Sequence, residues 1–206
     1  MKKRFVASFF SILMLFTFFA FSSALAAEEG DGENILVSGD FEYRTSAWGV
    51  YPDNEVEIVS YKGSSPVVTI PKSIGGKNVG CVGSDCFKDN TTITKIIISE
   101  GIGLINSSAF ENCTNLESVS LPNTITNIDD SLFKNSGLKS IVIPDNVSGI
   151  YFSAFYGCSK LESVTLPKNL NMLRSNAFED CTKLKSVIIP DKQKILSIEH
   201  LADVYL

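Results

Sequence analysis

Five cysteines, a single histidine and a few neighbouring carboxylates are the residues of this 206-residue chain whose chemistry could go beyond packing. Nucleophilic catalysis needs a base within hydrogen-bond reach of a Ser or Cys, and a third group that orients the base. His200 stands close to the end of the sequence, where nothing in the pattern would hold it in such an arrangement. Glu28-Glu29 and Asp129-Asp130 are adjacent along the chain rather than set across a cleft, as solvated turns would place them. Gly30-Asp31-Gly32 and Gly101-Ile102-Gly103 lack the strand-to-helix setting in which glycines cradle phosphate. No C-x-x-C pair exists and the carboxylates are scattered, so zinc is not expected. The sequence predicts no enzyme, no catalytic or metal-ligating residue and no cofactor.

What positions these residues is a repeat. "FENCTNLESVSLP" at 110–122 returns as "FEDCTKLKSVIIP" at 178–190. Phe87, Phe110, Phe133, Phe155 and Phe178 follow at steps of 23, 23, 22 and 23. The columns that contain Leu116, Leu121 and Ile128 in one copy keep the same phase in the others. A period of this size marks a solenoid, in which each unit buries its apolar face only against its neighbours.

Leu116-Glu117-Ser118-Val119-Ser120-Leu121 alternates apolar and small polar side chains, the period-two pattern of a half-buried strand. Pro122 ends it, as Pro71, Pro144, Pro167 and Pro190 end the others, with Ser99 standing in once. Stacked units predict one parallel sheet of about six strands on one face, with the Phe rings in a spine toward the opposite, convex side. Cys113, Cys158 and Cys181 fall three residues after Phe, in a column shared with Asn90 and Ser136, where a small side chain packs. Packed free thiols suit that column; a bridge between Cys158 and Cys181 is the alternative, made awkward by side chains that point the same way. Cys81 and Cys86 share the first coil.

Met1-Lys2-Lys3-Arg4, the apolar run Phe5 to Phe21 and the small-residue site Ala24-Leu25-Ala26 read as a secretory signal peptide. A transmembrane anchor would need about 20 apolar residues, so no stable membrane span is expected after cleavage. Cleavage also removes three cations and moves the formal net charge from −5 to −8, which argues against a nucleic-acid partner. The organisation expected is a signal peptide at 1–26, a flexible acidic linker at 27–38, an N-terminal β-hairpin cap at 39–65 and a solenoid at 66–206. The solenoid divides into units 66–92, 93–115, 116–137, 138–160, 161–183 and a degenerate or truncated 184–206.

The pattern LxxVxLPxxIxxIxxxAFxxC, seen from Leu161 to Cys181 and in near copies from Ile93, Leu116 and Leu138, resembles the BspA-like class of bacterial leucine-rich repeat proteins. Ile70-Pro71 with Gly75-Gly76-Lys77 is similar to the opening repeat of that class. The resemblance implies a leucine-rich repeat solenoid, β-rich and of the α/β-type right-handed superhelix. It also implies a secreted or cell-surface bacterial protein of the adhesin type that binds host, matrix or other bacterial proteins, with no catalytic residues to carry over. Leu132 before Phe133, and Gln193 and Leu201 in the last unit, depart from the pattern.

Two positions per strand are expected to point away from the core. They are Lys95, Ser118, Ser140, Ser163 and Ser186 in one column and Ile97, Ser120, Val142, Thr165 and Ile188 in the next, a small, uncharged candidate ligand-binding face. Glu117, Lys139, Glu162 and Lys185 run beside it with alternating sign, as an ion-pair ladder would. Tyr43, Arg44 and Tyr61 sit in the N-terminal region as further aromatic and basic anchors. Trp48, Tyr51, Tyr151 and Phe152 are the candidate aromatic contacts; Trp48 and Tyr51 serve either hairpin packing or an exposed site. The function expected is a protein-interaction module, with a structural spacer that self-associates through its C-terminal repeat as the alternative and a hydrolase as a distant third.

Overall fold

The structure, a computed structural model, describes residues 34–45 and 55–188. The expected signal peptide, Trp48, Tyr51, His200 and the unit beyond 188 lie outside these residues, as do the side chains of Ser186 and Ile188. The chain enters through three antiparallel strands, β1 (Ile35–Ser38), β2 (Phe41–Thr45) and β3 (Glu55–Tyr61). The first coil follows with β4 (Val67–Ile70), then a tight antiparallel hairpin of β5 (Ser73–Ile74) and β6 (Lys77–Val82). Gly75 and Gly76 turn that hairpin at φ 57 and 79, where a side chain would be strained. Each later coil carries two short strands: β7 (Lys95–Ile98) and β8 (Leu104–Ile105), β9 (Ser118–Ser120) and β10 (Asn127–Ile128), β11 (Ser140–Val142) and β12 (Gly149–Ile150), β13 (Ser163–Thr165) and β14 (Met172–Leu173). The last described strand is β15 (Ser186–Ile188).

The alternation within each strand decides which residues fill the rod. Ile96, Ile98, Ile141, Ile143, Val164 and Leu166 point inward and are buried, as are Ile105, Ile128, Ile150 and Leu173 from the second strand row. Phe110, Phe133 and Phe155 are fully buried. Their rings stack from Phe87 to Phe178 at centroid distances of 5.1 to 5.4 Å, the spine the periodicity predicts. It runs on through Tyr61 and Phe41 at 5.3 Å each, two residues outside the 23-residue phase. Tyr61 and Tyr43 are therefore core residues, not the surface anchors their position suggests.

The structure departs from the expected architecture in three places. First, no helix occurs among the described residues, so the α/β-type coil is corrected: the Phe side of each coil is a compact turn. Two left-handed residues set each turn, two before and two after Phe: Ser108 and Asn112 (φ 58 and 60), Ser131 and Asn135 (φ 56 and 56), Ser153 and Gly157 (φ 55 and 69). Short polar residues and Gly tolerate that region, which explains their columns. The turns are hydrogen-bonded coil to coil, Phe110 N–H to Leu132 O at 3.0 Å and Phe133 N–H to Ala154 O at 2.8 Å, so the backbone needs no helix to satisfy it.

Second, the six strands of the first sheet form two parallel ladders, β4-β7-β9 and β11-β13-β15, rather than one. The division follows the one shortened unit, where Ser136-Gly137-Leu138 replaces Cys113-Thr114-Asn115-Leu116. A Cβ on Gly137 would collide with the Thr114 carbonyl, so Gly lets the shortened turn press against its neighbour. Gly137 N–H bonds Cys113 O at 3.0 Å, and Lys160 Nζ reaches two coils back to Thr114 O at 3.2 Å. Third, Ile35–Ser38, expected as the end of an acidic linker, form β1, so the N-terminal element is three strands rather than a hairpin from 39.

Candidate interaction surface

The sheet register brings the predicted columns together. Val67, Lys95 and Ser118 lie side by side in the first ladder, with Thr69, Ile97 and Ser120 beside them. Ser140, Ser163 and Ser186 align in the second, next to Val142, Thr165 and Ile188. Lys95, Ser118, Ser120, Ser140 and Val142 are exposed; Ile97, Ser163 and Thr165 are half-buried. Val67 and Thr69 belong to the same face and were legible from the phase of Ile70-Pro71, but the longer first unit hid them. Val142 is 70% exposed and Val67 50%, values that leave aliphatic surface open to a partner.

The charges beside this face pair off. Lys139 meets Glu117 at 2.7 Å and Lys185 meets Glu162 at 3.2 Å, so the alternating row resolves into two pairs rather than a continuous ladder. The Lys139 ammonium holds the Glu117 carboxyl below its usual range. Exposed pairs of this kind contribute about 0 to 1 kcal/mol, so their consequence is a flanking row with its own charge cancelled.

The two described aromatic candidates lie outside this face, on the second strand row and the turn that follows it. Tyr151 is half-buried, Phe152 is 49% exposed, and the Arg174 guanidinium sits 5.5 Å from the Phe152 ring centroid. Arg174 is one repeat after Tyr151 in the same column, a link the sequence carries in its spacing. Phe152 N–H is held by Asp130 Oδ1 at 2.9 Å, which fixes the ring's base. Elsewhere, a hollow of about 330 Å³ is lined by Arg44, Glu57, Ser84 and Asn106. Its buried Glu57 carboxylate is paired with Arg44 Nε at 2.8 Å, a group whose removal would leave Glu57 uncompensated.

The cysteine column is packing chemistry. Cys113, Cys158 and Cys181 donate to the carbonyls of Phe87, Phe133 and Phe155 at 3.1, 3.0 and 3.1 Å, each reaching to the preceding coil. Ser136 takes the place of a thiol in the shortened unit and meets Cys158 Sγ at 3.3 Å. These thiols and Cys86 are buried and carry no disulfide. Burial pushes the Cys113 thiol up to about 12 and raises Cys86 as well, while the hydrogen bond with Cys158, and then burial, raises Cys181. Among the described residues no group of three or more His, Cys, Asp or Glu could hold a metal ion.

The BspA type leucine-rich repeat region matches residues 81–202 in six copies. The chain belongs to the BspA-type leucine-rich repeat family. Solved structures share the coil. A leucine-rich cell-surface protein of Faecalibacterium prausnitzii superposes with a TM-score of 0.70 at 24% identity, over 81% of this chain and 42% of that one. The T. pallidum leucine-rich repeat protein gives 0.63 at 25% identity, over 72% and 68%. The pneumococcal vaccine antigen PcpA gives 0.59 at 28%, over 69% and 35%. This leucine-rich repeat chain thus spans less than half the length of the first and third. No curated protein matches it in sequence.

Proposed function

We propose that the chain is a non-catalytic protein-interaction module, exported by its N-terminal signal, that acts at the bacterial surface or in the surrounding medium as an adhesin-like binder of host, matrix or bacterial proteins. The contact surface is the outer face of the first sheet, with Lys95, Ile97, Ser118, Ser120, Ser140, Val142, Ser163 and Thr165 at its centre. Tyr151 and Phe152 form a separate, smaller contact. The observation that carries this proposal is the alignment of small and aliphatic side chains in two columns over successive coils, with the flanking charges closed into pairs. Such a face offers area and shape rather than a reacting group. The F. prausnitzii protein described as a cell-surface protein supports the location. The three N-terminal strands serve as the cap of the coil, which winds as a right-handed superhelix. Among the described residues no helix is long and apolar enough to cross a membrane.

The test is binding of the exported chain to immobilised extracellular-matrix and bacterial surface proteins, repeated with Ser118→Glu and Ser140→Glu together. Two carboxylates placed on this face should weaken the selected interaction at least tenfold while the melting temperature stays unchanged. Undiminished binding by the double variant, with loss in Phe152→Ala, would move the contact to the aromatic patch.

A further inference from the structure

Every described coil but one keeps its inward strand residues out of water until the last strand is reached. In the column Val68, Ile96, Val119, Ile141, Val164, the exception is Val119; in the column Ile70, Ile98, Leu121, Ile143, Leu166 it is Leu121. Both are half-buried, and both belong to the coil at which the first sheet divides. No ladder joins β9 to β11, although Lys139 N–H still reaches Glu117 O at 3.2 Å just before the two strands. The strands are therefore tied at their start and part toward their ends. Between them lies a cleft of about 380 Å³ with Val119, Leu121 and Ile141 at its floor and Ser118, Ser120 and Ser140 at its rim.

We propose that this cleft is the docking site for an extended, uncharged peptide segment of a partner protein, which seats a branched aliphatic side chain over Val119 and Leu121. The proposal rests on the interaction role assigned to this face above and narrows it to one subsite and one ligand chemistry. Charge matching selects the occupant. No charged side chain lines the cleft. The ion pair before it, Glu117 with Lys139, is closed at 2.7 Å. Asn123 at its far end is already held by Glu100 at 3.0 Å. A phosphate, nucleotide or charged side chain entering here would lose hydration and find no counter-charge in the lining. A sugar would find no aromatic platform in the lining. A valine, isoleucine or leucine fits the aliphatic floor, and the hydroxyl rim can meet the amides on either side of it. Parted strands also present backbone edges, which extended peptides recognise. The volume lies within the range of pockets that hold a side chain or two.

The experiment is selection of displayed random heptapeptides on the exported full-length chain, followed by fluorescence anisotropy with capped synthetic copies of the enriched peptides. Titrations compare the parent chain with Ser120→Trp, which fills the cleft, Val142→Asp, which charges its rim, and Ile97→Arg, on the same face but outside it. Melting curves verify that each variant is folded. The expected result is enrichment of uncharged peptides bearing Val, Ile or Leu, with affinity reduced at least tenfold by Ser120→Trp and by Val142→Asp and by a smaller factor by Ile97→Arg. Failure to enrich any peptide over the bare support, enrichment of charged peptides, or affinity unchanged by Ser120→Trp would each overturn the cleft. Loss with Ile97→Arg but not Ser120→Trp would overturn the cleft and retain the sheet face. Loss with none of the three would remove both.

Discussion

Phe133 sits at the middle of the ring stack, fully buried between Phe110 and Phe155 at 5.4 Å on either side. Replacing it with alanine removes the ring from both neighbours and leaves a cavity that the flanking coils cannot collapse into without shifting. Phe133→Ala should cost about 3 to 5 kcal/mol; urea unfolding followed by circular dichroism measures it, and Phe152→Ala on the surface gives the contrast. Glu111 ties three coils together through its charge. It is bridged by Lys88 at 3.1 Å and Lys134 at 3.3 Å, one on the coil before and one on the coil after. Burial alone would raise its carboxyl, but hydrogen bonds from Lys88, Ser108 and Lys134 outweigh it and hold the group below the ordinary value of 4.5. A lowered folded value means that the stabilisation is fully present above the ordinary value and is lost as pH falls through the lowered one. The stability difference between the parent chain and Glu111→Gln should therefore shrink between about pH 6 and about pH 3; a difference that stays constant would assign Glu111 a packing role alone.

At the scale of the coil, the turn rather than the strand is the demanding element. Asn112 stands at φ 60, donates from Nδ2 to Asp89 Oδ1 at 2.7 Å and receives the Asn135 amide at 2.9 Å. Its equivalent Gly157 ends this side-chain ladder, because a Cβ there would collide with Asn135 Oδ1. Asn112→Val should destabilise by about 1 to 3 kcal/mol through backbone strain. Asn112→Gly removes the same hydrogen bonds without strain and should cost less; thermal melts of the two distinguish conformation from bonding. The strand alternation, proline stops, Phe spine and small-residue column were all legible in the sequence, because each is a burial rule repeated at a fixed step. The left-handed pairs were visible as Ser, Asn, Asp and Gly on both sides of Phe, yet polar residues in a turn do not by themselves report φ. Tyr61 was missed for a different reason: it lies 26 residues before Phe87, outside the period, and joins the spine through β3.

For the whole molecule, the one shortened unit has the largest reach. A step of 22 instead of 23 between Phe133 and Phe155 is plain in the sequence, but its consequence requires the neighbouring coil. Gly137 presses on Thr114, the first sheet divides, and two core side chains meet solvent in the middle of the rod. The candidate columns could be named from alternation alone, whereas the cleft between Ser120 and Val142 could not, since alternation says nothing about the spacing of neighbouring strands. Nearest-neighbour contacts hold such a rod together, so one altered junction leaves the coils beyond it intact. In the proposed function the first sheet presents the binding face. Hydroxyl-radical footprinting tests it most directly, with the chain alone and in complex with whichever partner the binding panel selects, because Val67, Val142 and Phe152 are all exposed and reactive. Protection of Val67 and Val142 with Phe152 still labelled is the predicted result. Protection of Phe152 with both valines unchanged would contradict it.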